Sequence, residues 1–389
     1  MSFIGLDIGA SSTRFVSENG KIGVLPNNMV TLALDERVDL EPYPGNDEAE
    51  ALRNALDVTI VKTSGESDFF PVRALIGSMA ERFNPNNIRP SVLQNKHKQQ
   101  VNFISALTAT AYNKLLYGLS DEIHMYVALP PMEVNSAKDY VTDQFTGTFE
   151  VTFNKYNNRK VNINIVSVSC KEESFMALLA FYFEMHGALR EEAKQYARGN
   201  ILSLDIGAST TDLAVVKDMK YLEKSGQTYK TGGNVARDMV ANDIRAMYGY
   251  DPTDEETETV MAEGRLPMGN SYVDMKESVD RAKKAFAAQI VNNIQSYFRL
   301  VNIPIQSIRA IVVSGGGSMH SEHTNENGET IIVSQPISEF ITEELHKVCN
   351  TIDVVPFSKN PRQANAIGLY IIASLDQLKR QQQADKAAI

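Results

Sequence analysis

The chain is poor in cysteine: only Cys170 and Cys349 occur in 389 residues, far apart and in no metal-like spacing. That excludes a disulfide-stapled scaffold and predicts a reducing, cytoplasmic setting. No apolar run approaches the ~18 residues of a membrane-spanning helix. The first strand begins within three residues of Met1, which leaves no room for a signal peptide. The tail at residues 378–383 is polar and reads as a fraying helix end, not an anchor, so no membrane partner is expected. Positive charge is in deficit, with 38 Lys and Arg against 48 Asp and Glu and a net charge of −10. A nucleic-acid-binding face needs clustered Lys and Arg to displace counterions, so direct nucleic-acid contact is not expected and DNA would be carried through an adaptor. Two catalytic signatures are missing as well, the G-x-x-x-x-G-K-[ST] loop and the G-x-S-x-G elbow. His320 and His323 stand in a polar loop with no cysteine nearby, which argues against zinc.

Against these absences stands a duplication. Ile4-Gly5-Leu6-Asp7-Ile8-Gly9-Ala10-Ser11-Ser12-Thr13 is echoed 198 residues later by Leu202-Ser203-Leu204-Asp205-Ile206-Gly207-Ala208-Ser209-Thr210-Thr211-Asp212. In each copy apolar residues lead into Asp-Ile-Gly-Ala-Ser, and an alternating or apolar stretch follows, which predicts strand, tight turn, strand. A second turn signal comes next, Glu18-Asn19-Gly20 in one copy and Lys217-Asp218-Met219 in the other. A glycine-led turn frees backbone N–H groups which, with Ser and Thr hydroxyls, can ring a phosphate. The Asp would be repelled by phosphate but can hold the water shell of Mg²⁺. A repeated unit at the heads of two half-chains is hard to explain by turn propensity alone.

Between the copies, residues 21–25 read as a third strand, 58–61 as a strand and 72–83 as a helix. Residues 30–95 as a whole read as an inserted subdomain. A helix at 99–116 and a strand at 123–129 follow. Val161, Ile163 and Ile165 alternate, and then the apolar set slips to Val166 and Val168, which predicts a bulge or a strand end buried on both faces. A central, almost wholly apolar helix is expected from Cys170 to Phe181, opened by Glu172 and Glu173. Those acids are either partners of the helix dipole or carboxylates aimed at a water. Past the echo, Gly232 and Gly233 open a helix at 235–247, an acidic loop spans 251–258, and a helix at 278–291 carries Arg281, Lys283 and Lys284. The buried strand at 310–313 runs into Gly315, Gly316 and Gly317, which calls for close approach of backbone to something. Small residues around Ala364, Ala366 and Gly368 open a closing helix suited to tight packing.

Taken in order, these parts resemble the actin, hexokinase and heat-shock-protein ATPase superfamily, and within it the bacterial and phage actin-like proteins of the plasmid-partitioning ParM type. The resemblance spans residues 4 to about 375. It implies an α/β, actin-like fold of two related domains, each a five-stranded mixed sheet with helices, and a nucleotide cleft between them. The first domain would be 1–180, with the 30–95 insertion and a closing helix at 363–389. The second would be 181–362, with an insertion at 235–290. It also implies a filament-forming ATPase using ATP, with GTP left open, and Mg²⁺. That filament, a polymer of the chain itself, would segregate plasmid or phage DNA through a DNA-binding adaptor protein. On that pattern Asp7 and Asp205 hold the metal's water shell and count with Glu173 as catalytic, Glu173 orienting the hydrolytic water with Glu172 as the register alternative. Gly9, Ala10, Ser11, Ser12 and Thr13 match the first phosphate loop, and Gly207, Ala208, Ser209 and Thr210 the second, with Gly232 and Gly233 beside it. Gly315, Gly316 and Gly317 match the adenosine loop, and Arg281 and Lys284 would line the purine. The second loop departs from relatives in carrying Ala208 where a second glycine is common. A monomeric small-molecule kinase is the competing expectation. A chaperone-like ATPase would need a further domain after residue 375, and a membrane-tethered actin conflicts with the polar tail.

Overall fold

The computed structural model describes residues 2–387 apart from 10, 66, 68, 85–98, 319–320, 325–329 and 358–359. The chain divides into two compact units, residues 1–189 with 365–389, and residues 190–364.

In chain order the first unit contains β1 (Ser2–Ile8), β2 (Ser12–Ser17), β3 (Ile22–Pro26), β4 (Met29–Leu32), α1 (Glu48–Asn54), β5 (Asp57–Lys62), β6 (Val72–Ile76), α2 (Ser78–Phe83), α3 (Gln100–Tyr117), β7 (Glu122–Leu129), α4 (Pro131–Phe145), β8 (Gly147–Phe153), β9 (Arg159–Glu172) and α5 (Glu173–Tyr182). Its strands form one mixed sheet in the order β3-β2-β1-β7-β9-β8-β5-β6-β4. The first five are the expected mixed core, with β1, β7 and β9 parallel. The insertion prolongs that sheet with β5, β6 and β4, reached through β8. Two expectations fail locally. Residues 72–83 are not one helix, because Gly77, at φ +63°, separates β6 from the short α2. The central helix begins at Glu173 and not at Cys170, because β9 stays paired with β7 through Glu172 opposite Leu129. The slip after Ile165 is a register shift: Ile123 pairs with Ile165, but His124 pairs with Ser167.

The second unit contains β10 (Asn200–Ile206), β11 (Thr211–Lys217), β12 (Lys220–Tyr221), β13 (Gln227–Tyr229), α6 (Asn234–Tyr248), α7 (Asp254–Glu263), β14 (Arg265–Met268), β15 (Ser271–Asp274), α8 (Lys276–Val301), β16 (Ile308–Ser314), β17 (Ser321–Thr324), β18 (Thr330–Ser334), α9 (Ile337–His346) and β19 (Asp353–Pro356). Its sheet runs β12-β11-β10-β16-β19, with β13 on β11. The core packs Leu202, Leu204 and Ile206 with Phe286, Ile290 and Ile294 of α8. The acidic stretch expected as a loop is largely the helix α7. Thr253 and Glu256 close a reciprocal capping box there, which satisfies two otherwise orphaned N–H groups. The helix α8 is also longer than expected, at 26 residues.

The closing helix α10 (Ala364–Ala387) packs on the first unit. A Cβ on Gly368 would stand 1.9 Å from the Met176 carbonyl oxygen of α5, and one on Gly5 would stand 2.8 Å from Leu369 Cβ. These two glycines let α10 lie against β1 and α5 at backbone distance.

Candidate functional site: two hairpin turns at the strand ends

In the first unit β2 returns on β1 with Ile8 opposite Thr13, leaving residues 9–12 as the connection. Gly9 N–H donates to the Ser12 carbonyl at 3.0 Å. Asn27, fully buried, then fastens the turn three ways. Its Nδ2 donates to the Gly9 carbonyl at 2.5 Å, its Oδ1 accepts from Thr13 Oγ1 at 2.7 Å, and its N–H donates to the Ser11 carbonyl at 2.9 Å. Asn27 lies just past the strand expected at residues 21–25, where nothing in the local sequence marks it for this role. Ala10 lies outside the described residues, Ser11 is exposed and Ser12 is half-buried.

The second unit repeats the construction. Ile206 stands opposite Thr211, and Gly207 N–H donates to the Thr210 carbonyl at 2.8 Å. Thr211, the positional counterpart of Thr13, also spends its hydroxyl inside the fold, on the Thr231 carbonyl at 2.6 Å. Here the turn is fastened by the start of α6. Gly233 N–H reaches the Gly207 carbonyl at 2.9 Å and Asn234 N–H the Ala208 carbonyl at 2.7 Å, so the positive end of a helix dipole lies against the turn. Gly232 must lack a side chain, since its Cβ would sit 2.6 Å from the Ala208 backbone. Ala208 is exposed, Ser209 half-buried and Thr210 buried.

The two turns differ in charge. Asp7 faces Arg14 across the ladder, and the guanidinium Nη1 stands 3.3 Å from Asp7 Oδ2. At the matching register Asp205 faces Asp212, both buried. Asp205 accepts from Ser314 Oγ at 3.3 Å and Asp212 from Thr228 Oγ1 at 2.5 Å. Arg14 was not singled out in the sequence, although counting the hairpin register from Ile8 and Thr13 places it opposite Asp7.

Two of the three glycines at 315–317 are close-approach positions against the second turn. A Cβ on Gly315 would lie 2.3 Å from the Ile206 carbonyl and 2.4 Å from Asp205 Oδ1, and Gly315 has φ +89°. A Cβ on Gly317 would lie 2.6 Å from Ile206 Cγ2. Both glycines are required because their loop lies on the second turn. Gly316 is the freer position, where a Cβ would make ordinary contact with the Arg362 side chain at 3.4 Å.

Glu173 is buried at the first residue of α5. Asp7 pairs laterally with Ala128, and Ala128 with Lys171, so Glu173 and Gly9 project from the same carboxyl edge of the first sheet, roughly 10 Å apart at two strand spacings. Open α/β sheets bind ligands at that edge. Burial pushes the thiol of Cys170, close by on β9, up to about 11. Arg281 and Lys284 point outward on α8, 59% and 58% exposed, in ion pairs with Asp243 and Glu343. Their exposure gives no support to a purine-lining role, whereas Lys283, on the buried side of the same helix, is 4% exposed. His320 lies outside the described residues, as does the side chain of His323.

Two family models match the chain. Residues 5–175 match the N-terminal domain of actin-like proteins, and residues 203–324 match the C-terminal part of the archaeal MreB-like actin homologue. No curated protein matches at the level of sequence. Among solved structures, the actin-like protein Alp7A is 18% identical with a TM-score of 0.74, over 99% of this chain and 99% of that one. The archaeal actin homologue Ta0583, in complex with ADP, is 15% identical with a TM-score of 0.65, over 96% and 99%. ParM from a 15-stranded Clostridium botulinum filament is 17% identical with a TM-score of 0.64, over 96% and 99%. Segments of both halves of the chain match models of actin-like families, and over nearly its whole length the chain has the actin-like fold of two domains.

Proposed function

We propose that this chain is a nucleotide-dependent, filament-forming ATPase, and that its filaments move plasmid or phage DNA through an adaptor protein. One observation carries the reading. Two hairpin turns, each with an Asp two residues before its glycine, are closed in the same register by the same glycine N–H bond. Each stands at the carboxyl end of parallel strands, where backbone donors and the hydroxyls of Ser11, Ser12 and Ser209 can receive phosphate oxygens. The helix dipole of α6 adds positive potential at the second turn. Asp205 and Asp212 bring two carboxylates to that turn, which would draw a hydrated magnesium ion, and Arg14 stands beside Asp7 at the first. Magnesium, when bound, would neutralise phosphate oxygens and leave Asp205 and Asp7 to order its water shell. Glu173 would orient the attacking water, and the loop at Gly315, Gly316 and Gly317 would receive the sugar and base. Ta0583 and a Bacillus thuringiensis ParM are known with ADP, and a Clostridium botulinum ParM as a filament, which supports carrying nucleotide and polymer to this chain.

Light scattering of the pure protein is the test, with ATP or GTP, with and without Mg²⁺, alongside phosphate release. The reading predicts a scattering rise that needs both nucleotide and metal. Nucleotide turnover without any rise in scattering would favour a monomeric kinase of the same fold.

A further inference from the structure

Between β16 and α9 the chain passes through the glycine loop and then the hairpin of β17 and β18. The base of that hairpin is tied to α8. Ser334 Oγ donates to Asp280 Oδ1 at 2.6 Å, and one turn further along α8 Lys283 Nζ donates to the Gln335 carbonyl at 3.0 Å. Ser334 is 2% exposed and Lys283 4% exposed, while their partners Asp280 and Gln335 are half-buried and exposed, so losing a bond leaves a buried polar group on one side of it. The preceding residue is held as well. Gly264, at φ +67°, ends α7 against Val333 so closely that a Cβ there would stand 2.2 Å from Val333 Cγ1. Across the hairpin ladder Ser334 pairs with Ser321, which follows Ser318 by three residues. Ser318 in turn folds back on the glycine loop, donating from N and from Oγ to the Gly315 carbonyl at 3.2 and 2.7 Å. The strand that follows the glycine loop is thus tied to α8 across one rung of a hairpin, while the near end of the loop is anchored by Gly315 N–H on the Pro361 carbonyl at 3.1 Å.

We propose that Lys283 and Asp280 are positioning residues for the glycine loop: by clamping Ser334 and Gln335 they hold that loop in the shape that receives the sugar and base of a purine nucleotide. The inference rests on the nucleotide reading above and adds to it a residue pair that touches no ligand. It separates two parts of one ligand. The clamp serves the loop assigned to sugar and base, so its loss should weaken binding of a nucleoside diphosphate and leave a bare polyphosphate unaffected.

The experiment is calorimetric titration of the full chain with Mg·ADP and with Mg·tripolyphosphate, for wild type, Lys283→Met and Ser334→Ala. Ser334→Ala removes a single hydroxyl and keeps the question open should Lys283→Met fail to fold. Both variants should bind ADP about tenfold more weakly, the scale of one buried hydrogen bond, with tripolyphosphate affinity unchanged. Unchanged ADP affinity in both variants would overturn the clamp, and so would equal weakening toward both ligands, which would mean a general disturbance of the unit. Weakening in Lys283→Met alone would also overturn it, since the amine would then act on the ligand and not through the hairpin. A wild-type chain that binds no ADP would instead overturn the nucleotide reading itself.

Discussion

Asp205 and Asp7 occupy matching places in two copies of one hairpin, yet only Asp7 has a guanidinium opposite it. Their substitutions should therefore differ. Asp205→Ala should remove the Mg²⁺-dependent part of nucleotide affinity, about tenfold or more for loss of a charge-assisted contact, while Asp7→Ala should remove less of it. Titrations with Mg²⁺ and with EDTA decide this, and equal Mg²⁺ dependence in Asp205→Ala and wild type would exclude Asp205. If Glu173 orders the attacking water, Glu173→Ala should keep nucleotide binding and lower phosphate release by about 10²-fold, the usual scale for a lost general base. Glu172→Ala is the control, and a dead Glu172 variant beside an active Glu173 variant would shift the assignment by one residue. Lys283 makes a prediction of another kind. Burial lowers its amine from the ordinary 10.5 to about 8. Between those values the unfolded chain keeps a proton that the folded chain has released, so this lysine's contribution makes folding stability rise with pH. Urea unfolding from about pH 7.5 to 9, below the midpoint of unfolded tyrosines, should show wild type gaining stability relative to Lys283→Met as pH rises. Parallel profiles would contradict the lowered amine.

At the scale of elements, close glycine contacts are strong constraints. Gly368→Ala would drive a Cβ to within 1.9 Å of the Met176 carbonyl and force α10 off α5. It should cost about 1–3 kcal/mol as an overpacked site. Gly316→Ala, with ordinary contact at 3.4 Å, should cost little, and equal urea midpoints for the two variants would contradict this packing account. The hairpins were legible in the sequence because a strand-turn-strand unit is local and its period is short, and the duplication doubled the signal. The bulge after Ile165 was legible for the same reason, as a slip in alternation. What lay between was harder to read. Val72–Ile76 shares its apolar content with a helix, and only Gly77 at positive φ ends it. The helix α7 hid in an acidic stretch whose one local sign was Thr253 with Glu256 three residues on. Asn27 and Lys283 were not legible as functional supports, since their roles come from bonds to residues 18 and 52 positions away.

The two sheets each carry a mixed five-strand core, and the segment expected as an inserted subdomain contributes β5 and β6, which with β4 lengthen the first of them. Among the described residues no helix is long and apolar enough to cross a membrane. The most direct test is sedimentation over time of the purified chain with ATP and Mg²⁺, with ATP and EDTA, and without nucleotide, with phosphate release read from the same tubes. The account predicts pelleted polymer only with ATP and Mg²⁺, followed by its return to the supernatant as phosphate accumulates. A chain that stays in the supernatant under all three conditions while releasing phosphate, or one that pellets equally without nucleotide, would contradict it.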